Sequence, residues 1–293
     1  MSIILDKVNY TYSTGTAYEI QALRDISLEI GSGEFIGIIG HTGSGKSTFI
    51  QLLNGLLKPD SGNIFYGMEF YGEDVFQNGS PMRAIRGQVG LVFQYPEYQL
   101  FETSVLKDVA FGPKNQGLSD EDAILKAKEA LMRVKLPEKY WDMSPFDLSG
   151  GLKRRAAIAG VLAMEPKVLI LDEPTAGLDP RGRDELFSVI CKLHEKTGMT
   201  VLLVSHSMED VADYVKRIIV LDHGSVMFDG TPKEVFSHVE ELEAASLAVP
   251  EVAYLMRDLQ EAGLPVGGGV TTIKEAKEEI WKLCGGLCDR KGT

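Results

Sequence analysis

Gly40-His41-Thr42-Gly43-Ser44-Gly45-Lys46-Ser47-Thr48 is the stretch that decides the fold. A glycine, four free positions and then Gly-Lys-Ser is the pattern of a phosphate-binding loop. Each residue type has a task. The glycines let the backbone wrap close to phosphate in conformations that other residues adopt only at a cost. The loop aims its N–H groups at the phosphates, and the N-terminus of the following helix adds its dipole. Lys46 supplies a point charge to the β- and γ-phosphates. The Ser47 hydroxyl completes a Mg²⁺ shell, with Thr48 beside it. The flanks agree. Phe35-Ile36-Gly37-Ile38-Ile39 is nearly all apolar, as in a strand buried on both faces of a parallel sheet. A helix is predicted from about Ser47 to Leu57, broken by Lys58-Pro59-Asp60-Ser61-Gly62.

Two further buried strands extend this α/β reading. Val168-Leu169-Ile170-Leu171 delivers Asp172 and Glu173 to its C-terminal end, where ligands bind in open α/β sheets. Asp172 is placed to bind Mg²⁺, directly or through water. Glu173 is placed to orient and deprotonate an attacking water. Thr200 to Ser205 ends in His206, whose imidazole is placed to touch a γ-phosphate.

Upstream, alternation predicts strands around Ile3 to Val8 and Ile26 to Ile30, and residues 63 to 93 read as more strands and turns. From about 104 to 164 the spacing is mainly helical, with a start at Ser119-Asp120-Glu121-Asp122 and a second helix over 151–164. Helices are also predicted over 181–196 and Met208 to Tyr214, then a hairpin around His223-Gly224. Beyond about 240 the character changes. Glu240, Glu241 and Glu243 precede Pro250 and Gly267-Gly268-Gly269, and a last helix, about Thr272 to Leu283, is predicted to end in Cys284-Gly285-Gly286. Residues 240–293 read as a small C-terminal appendage.

Composition bounds the function. Of 293 residues, 44% are hydrophobic, ample for a core, and the net charge of −12 argues against a nucleic-acid partner. Three cysteines, an odd and sparse set, make no disulfide framework and suit a reducing compartment. No stretch has the signal layout or the roughly 18 uncharged apolar residues of a spanning helix. A membrane role therefore calls for docking onto something else that spans.

The order of these pieces resembles the ABC ATPase family, and Leu148-Ser149-Gly150-Gly151-Leu152 makes the match specific. It looks like the family signature LSGGQ, with Leu152 where the family usually has Gln. In the family this loop contacts ATP held by the opposite subunit of a head-to-tail dimer, so the resemblance implies ATP contacts from Ser149, Gly150 and Gly151. It also implies that Tyr12 stacks on adenine and that Gln94 senses Mg²⁺ and links the site to a membrane partner. Asp179 matches a loop that communicates across the dimer. The implied fold is a P-loop NTPase of the ABC ATPase type over 1–239, with an antiparallel β subdomain, a helical subdomain at about 99–165 and the appendage at 240–293. Tyr95-Pro96-Glu97-Tyr98-Gln99-Leu100-Phe101, Asp108 to Pro113, and Lys153-Arg154-Arg155 after Leu152 are similar to the ATPase subunits of energy-coupling factor transporters. Those subunits power vitamin or transition-metal-ion import. That finer resemblance implies a transmembrane scaffold subunit docking beside Gln94, a substrate-binding membrane subunit, and a place on the cytoplasmic face of the membrane. With Leu152 it favours a heterodimer with a related ATPase over a homodimer. An ATPase of another ABC class and a soluble non-transport ABC protein are the alternatives.

Overall fold

The computed structural model describes residues 1–67 and 82–289, with side chains up to Leu283. A six-stranded sheet forms its centre. In spatial order the strands are β5 (Val89–Val92), β6 (Val168–Asp172), β7 (Thr200–Val204), β3 (Phe35–Ile39), β8 (Arg217–Asp222) and β9 (Ser225–Gly230). The first five run parallel and β9 pairs antiparallel with β8. A second, antiparallel sheet has the order β2 (Ile20–Ile30), β1 (Ile3–Tyr12), β4 (Ser61–Tyr66).

Side-chain alternation explains how one sheet serves two cores. Phe35, Ile39, Leu169, Leu171, Val201 and Leu203 face the larger core. Against it pack α3 (Val105–Gln116), α4 (Asp120–Arg133), α5 (Gly150–Leu162) and α6 (Pro180–Thr197). Their neighbours Ile36, Ile38, Ile170, Leu202 and Val204 face the antiparallel sheet and α1 (Lys46–Leu53). Strands buried on both faces read as continuous apolar runs, and β3 and β7 are buried at every residue. The helices start as their sequences imply: Ser104 accepts from Lys107 N–H and Ser119 from Asp122 N–H.

Several elements differ from the sequence reading. Helix α1 ends at Leu53, four residues early, because Asn54 closes it and Gly55 turns out of it at φ 72°. In the region 63–93, read as strands and turns, β4 and β5 are strands, but α2 (Met82–Gln88) is a helix too short to show periodicity, and residues 68–81 lie outside the described residues. After α7 (Met208–Tyr214), α8 (Pro232–Val235) and α9 (Val239–Ala244), an unanticipated α10 (Glu251–Glu261) precedes α11 (Ile273–Asp289). Helix α11 continues through Gly285-Gly286, although glycine inside a helix costs roughly 1 kcal/mol each. Leu242, Leu247 and Val249 belong to the larger core, whereas Met256, Val266, Val270 and Ala276 form a small core of their own. Among the described residues, no helix is long and apolar enough to cross a membrane.

Candidate functional site

Register brings the chemistry together. Asp172 on β6 pairs with Val204 on β7, and Val204 pairs with Ile38 on β3. Within two residues of these positions each strand leaves the sheet, so the phosphate loop, Glu173 and His206 emerge at one edge. They meet in a cleft of about 520 Å³ whose lining includes Lys46, Gln94, Asp172, Glu173 and His206. Tyr12, Thr42, Gly43, Gly45, Ser47 and Thr48 line it too. Gly40, His41 and Ser44, also singled out by the pattern, lie outside that lining. At Gly40 a Cβ would sit 2.4 Å from the Leu221 carbonyl oxygen, and Ser44 is fully buried, so both shape the loop from behind.

The loop needs its glycines for different reasons. Gly45 has φ 103°, and a Cβ there would lie 2.6 Å from the Ala22 carbonyl oxygen. Gly43 has φ 87° with nothing within 4 Å of an added Cβ, leaving its backbone open to a ligand. Lys46 Nζ donates to the Gly40 carbonyl at 2.6 Å and the His41 carbonyl at 2.9 Å, which holds the ammonium inside the loop. Burial lowers its pKa, while Glu173 and Asp172 act the other way.

Lys46 only partly offsets the burial of the two carboxylates. Burial raises the Asp172 pKa against the pull of Lys46. Glu173 is pushed up to about 7, first by burial and then by the charge of Asp172. Its Oε1 is buried without a hydrogen-bond partner, and His206 Nε2 is 3.8 Å away, beyond direct hydrogen-bond reach. Glu173 also sits at φ 48°, a strained conformation for a glutamate, with its N–H donating to the Val204 carbonyl at 3.0 Å. Burial, and then Lys46, hold the His206 pKa below the ordinary histidine value, which favours the neutral ring. A cation fits this site. Ser47, Gln94 and Asp172 offer only hard oxygen donors, the set that suits Mg²⁺. Tyr12 donates to or accepts from Thr48 Oγ1 at 3.2 Å and meets Tyr10 edge-on at 4.8 Å between ring centroids, and the residue is 37% exposed.

The Ser149-Gly150-Gly151 loop is elsewhere. Ser149 occupies the N-cap of α5 but makes no capping hydrogen bond, and Ser149, Gly150 and Gly151 are exposed. None of the three lines the cleft of its own chain. Leu152 is half-buried against the larger core. Asp179 caps α6, accepting from Gly182 N–H at 2.7 Å.

One residue was given no task by the sequence reading. Arg154, on α5 and 4% exposed, holds Glu97 through two hydrogen bonds of 3.1 and 2.8 Å. It also donates to the carbonyls of Pro174 at 3.2 Å and Ala176 at 2.6 Å. It thereby ties the segment after Gln94 and the segment after Glu173 to the helix that carries Ser149. The only signal was an arginine one turn into a helix otherwise rich in alanine. Beside Gln94, Tyr95 at φ 54° leads into a single turn, Pro96–Gln99, that leaves Tyr98 84% exposed. Phe101 and Phe111, both exposed, contact each other edge-on at 4.9 Å.

The profile of the ABC transporter family matches residues 23–176. The chain is 54% identical to the energy-coupling factor transporter ATP-binding protein EcfA2 of Clostridium tetani, over 97% of each sequence. Among solved structures, cbiO1 from Clostridium perfringens, described as part of the ABC transporter complex cbiONQ, superposes with a TM-score of 0.70. It is 39% identical, and the match covers 87% of this chain and 98% of that one. The dimeric ATP-binding cassette MJ0796, bound to ADP and Pi after hydrolysis, superposes with a TM-score of 0.68. It is 32% identical over 78% of this chain and 98% of that one.

Proposed function

Because this chain belongs to the ABC transporter family, and within it to the ATP-binding subunits of energy-coupling factor transporters, we propose that it works as one half of an ATPase pair on the cytoplasmic face of a membrane. It is the ATP-hydrolysing subunit of an importer of that type. The pair powers uptake of a vitamin or a transition-metal ion. The observation that carries this reading is a division of labour. Lys46, Asp172, Glu173 and His206 share one cleft, while Ser149, Gly150 and Gly151 stand exposed away from it. A site split in this way is completed by the Ser149 loop of an opposed subunit.

In this reading the loop N–H groups and Lys46 cradle the β- and γ-phosphates. Ser47, Gln94 and Asp172 would hold Mg²⁺, which supplies charge neutralisation to the phosphate oxygens when bound. Glu173 takes the proton of the attacking water, and a pKa near 7 matches a general base to neutral conditions. Neutral His206 keeps that water in line with the γ-phosphorus. Tyr12 offers its ring face to the adenine. Ser149 and the amides of Gly150 and Gly151 at the free N-terminus of α5 close over the partner's γ-phosphate. The energy-coupling-factor-like sequence and Leu152 favour a related ATPase over a second copy as the partner: a partner that keeps the side-chain amide absent at Leu152 would make the two sites unequal. Tyr95, Tyr98 and Phe101, set beside Gln94 and stiffened by Pro96, form a socket for a helix of the transmembrane scaffold subunit. A small membrane subunit on that scaffold chooses the cargo.

Affinity purification of a tagged copy from native membranes, followed by mass spectrometry, tests the assembly. Recovery of a second ABC ATPase, a polytopic scaffold and small membrane proteins is the expected result. Recovery with a conventional permease pair, or only with soluble proteins or nucleic acid, would overturn it and leave the ATPase alone.

A further inference from the structure

Behind the phosphate loop, on the side away from the cleft, three side chains converge without any role in the chemistry above. His41 is the second residue of the loop. Asp222 and His223 lie where β8 turns into β9. His223 and Gly224 both have positive φ, 45° and 80°, as the two central residues of a type I′ hairpin turn require. The turn is fastened to the loop and to β2: Gly224 N–H donates to the Ser44 carbonyl at 3.1 Å, and Arg24 N–H donates to the Gly224 carbonyl at 2.8 Å.

The hydrogen bonding of His41 fixes its tautomer. Nδ1 is 2.8 Å from the Thr42 carbonyl oxygen, which can only accept, so Nδ1 carries the hydrogen. In the neutral ring, Nε2 is then a bare lone pair. It lies 3.1 Å from Asp222 Oδ1, another acceptor, and both atoms are buried with no hydrogen-bond partner. Two unpartnered acceptors facing each other at that distance repel unless a positive charge lies between them. His223 brings a third donor, with Nε2 3.8 Å from the same oxygen, and all three ligand atoms lie within 4.8 Å of one another. A tetrahedral zinc site with bonds of roughly 2.0–2.1 Å spaces its ligands about 3.3 Å apart; the His41–Asp222 separation already matches, and the exposed His223 ring would turn inward to close the wider gaps. The Nδ1–H to carbonyl bond of His41 is the outer-shell contact that orients a metal-ligating imidazole. His223, 80% exposed at its side chain, leaves the fourth position open to solvent.

We propose that His41, Asp222 and His223 bind a divalent cation of the zinc class, clipping the phosphate loop to the β8–β9 turn. Two imidazoles and one carboxylate suit Zn²⁺, Co²⁺ or Ni²⁺ better than Mg²⁺, which prefers oxygen donors throughout. The clip acts close to the nucleotide, because the carbonyl of His41 is one of the two that hold Lys46 Nζ. The bound ion would further restrain the loop that cradles phosphate.

The test is calorimetric titration of ZnCl₂ into the full-length chain, stripped with EDTA and free of nucleotide. A Cys191→Ser/Cys284→Ser/Cys288→Ser background removes competing thiols, and Co²⁺ replaces Zn²⁺ in a parallel absorption measurement. One equivalent should bind, and Co²⁺ should give the intense visible bands of a four-coordinate site. Asp222→Asn and His223→Gln should each weaken binding about tenfold or more, with melting curves confirming that both variants fold. His238→Gln, at a half-buried histidine paired with Glu241, should leave the affinity unchanged. Failure of the parent chain to bind one equivalent, or equal affinity in the Asp222→Asn and His223→Gln variants, would reduce the cluster to an imidazolium–carboxylate pair and overturn the proposal.

Discussion

The cleft at the edge of the parallel sheet and the free end of α5, the two regions proposed to meet phosphate, are finished to different degrees. In the cleft, backbone strain at Glu173, two carbonyl bonds on Lys46 and the burial of both carboxylates fix every group before a ligand arrives. At Ser149 the cap hydroxyl makes no capping bond and the adjoining glycines face solvent. The first region is preorganised within one chain. The second gains a purpose only against another surface. Arg154 joins them, holding Glu97, Pro174 and Ala176 to the helix that begins at Ser149.

The sharpest way to break this contrast is at Glu173. Glu173→Gln should lower ATP turnover by about 100-fold or more while leaving ATP affinity nearly unchanged, as measured by steady-state hydrolysis and equilibrium binding. Unchanged turnover would remove the base from its role. Ser149→Arg should stop turnover to a similar extent, yet ATP binding by the isolated chain should stay intact because the loop lies outside its own cleft. Weakened binding in the isolated chain would show that the loop acts in cis.

Tyr12→Ala should weaken ATP binding by about tenfold, the scale of one lost aromatic–base stack, and Tyr12→Phe should not. Equal losses would shift the weight to the Thr48 hydrogen bond. The smallest effect is expected from Leu152→Gln. Restoring an amide to the signature loop should raise turnover about threefold, the value of a single modest hydrogen bond. A fall in turnover accompanied by a lower melting temperature would mean that Leu152 serves packing instead.

The raised pKa of Glu173 has two opposite signatures. Its unfolded value is 4.5 and its folded value about 7, so its contribution favours the folded nucleotide-free chain below pH 4.5 and is lost as pH rises through 7. Turnover should rise over the same interval as the base ionises. Glu173→Gln should flatten the stability change between those values, measured by denaturant midpoints at each pH.

How much of this was legible in the sequence follows from how local each signal is. The phosphate loop, the Asp172-Glu173 strand end and the strand before His206 are contiguous patterns, and parallel register does the rest. Residues whose meaning lies in long-range contact were not legible. Arg154 reads as one more helix cation until Glu97 and two carbonyls are seen around it. The His41–Asp222–His223 cluster joins a loop to a hairpin far along the chain. Short helices and the true ends of glycine-bearing ones were also hidden. Helix α2 has too few turns to show a period, and α11 carries two glycines that normally mark a stop.

The central claim is that this chain holds half of each ATP site and a facing subunit supplies the other half. Sedimentation of the Glu173→Gln chain with ATP and Mg²⁺, together with the ATPase that co-purifies with it, tests this most directly. A nucleotide-dependent pair should form, and adding Ser149→Arg should abolish it while ATP stays bound to the single chain. A pair that persists unchanged in the double variant would contradict the account.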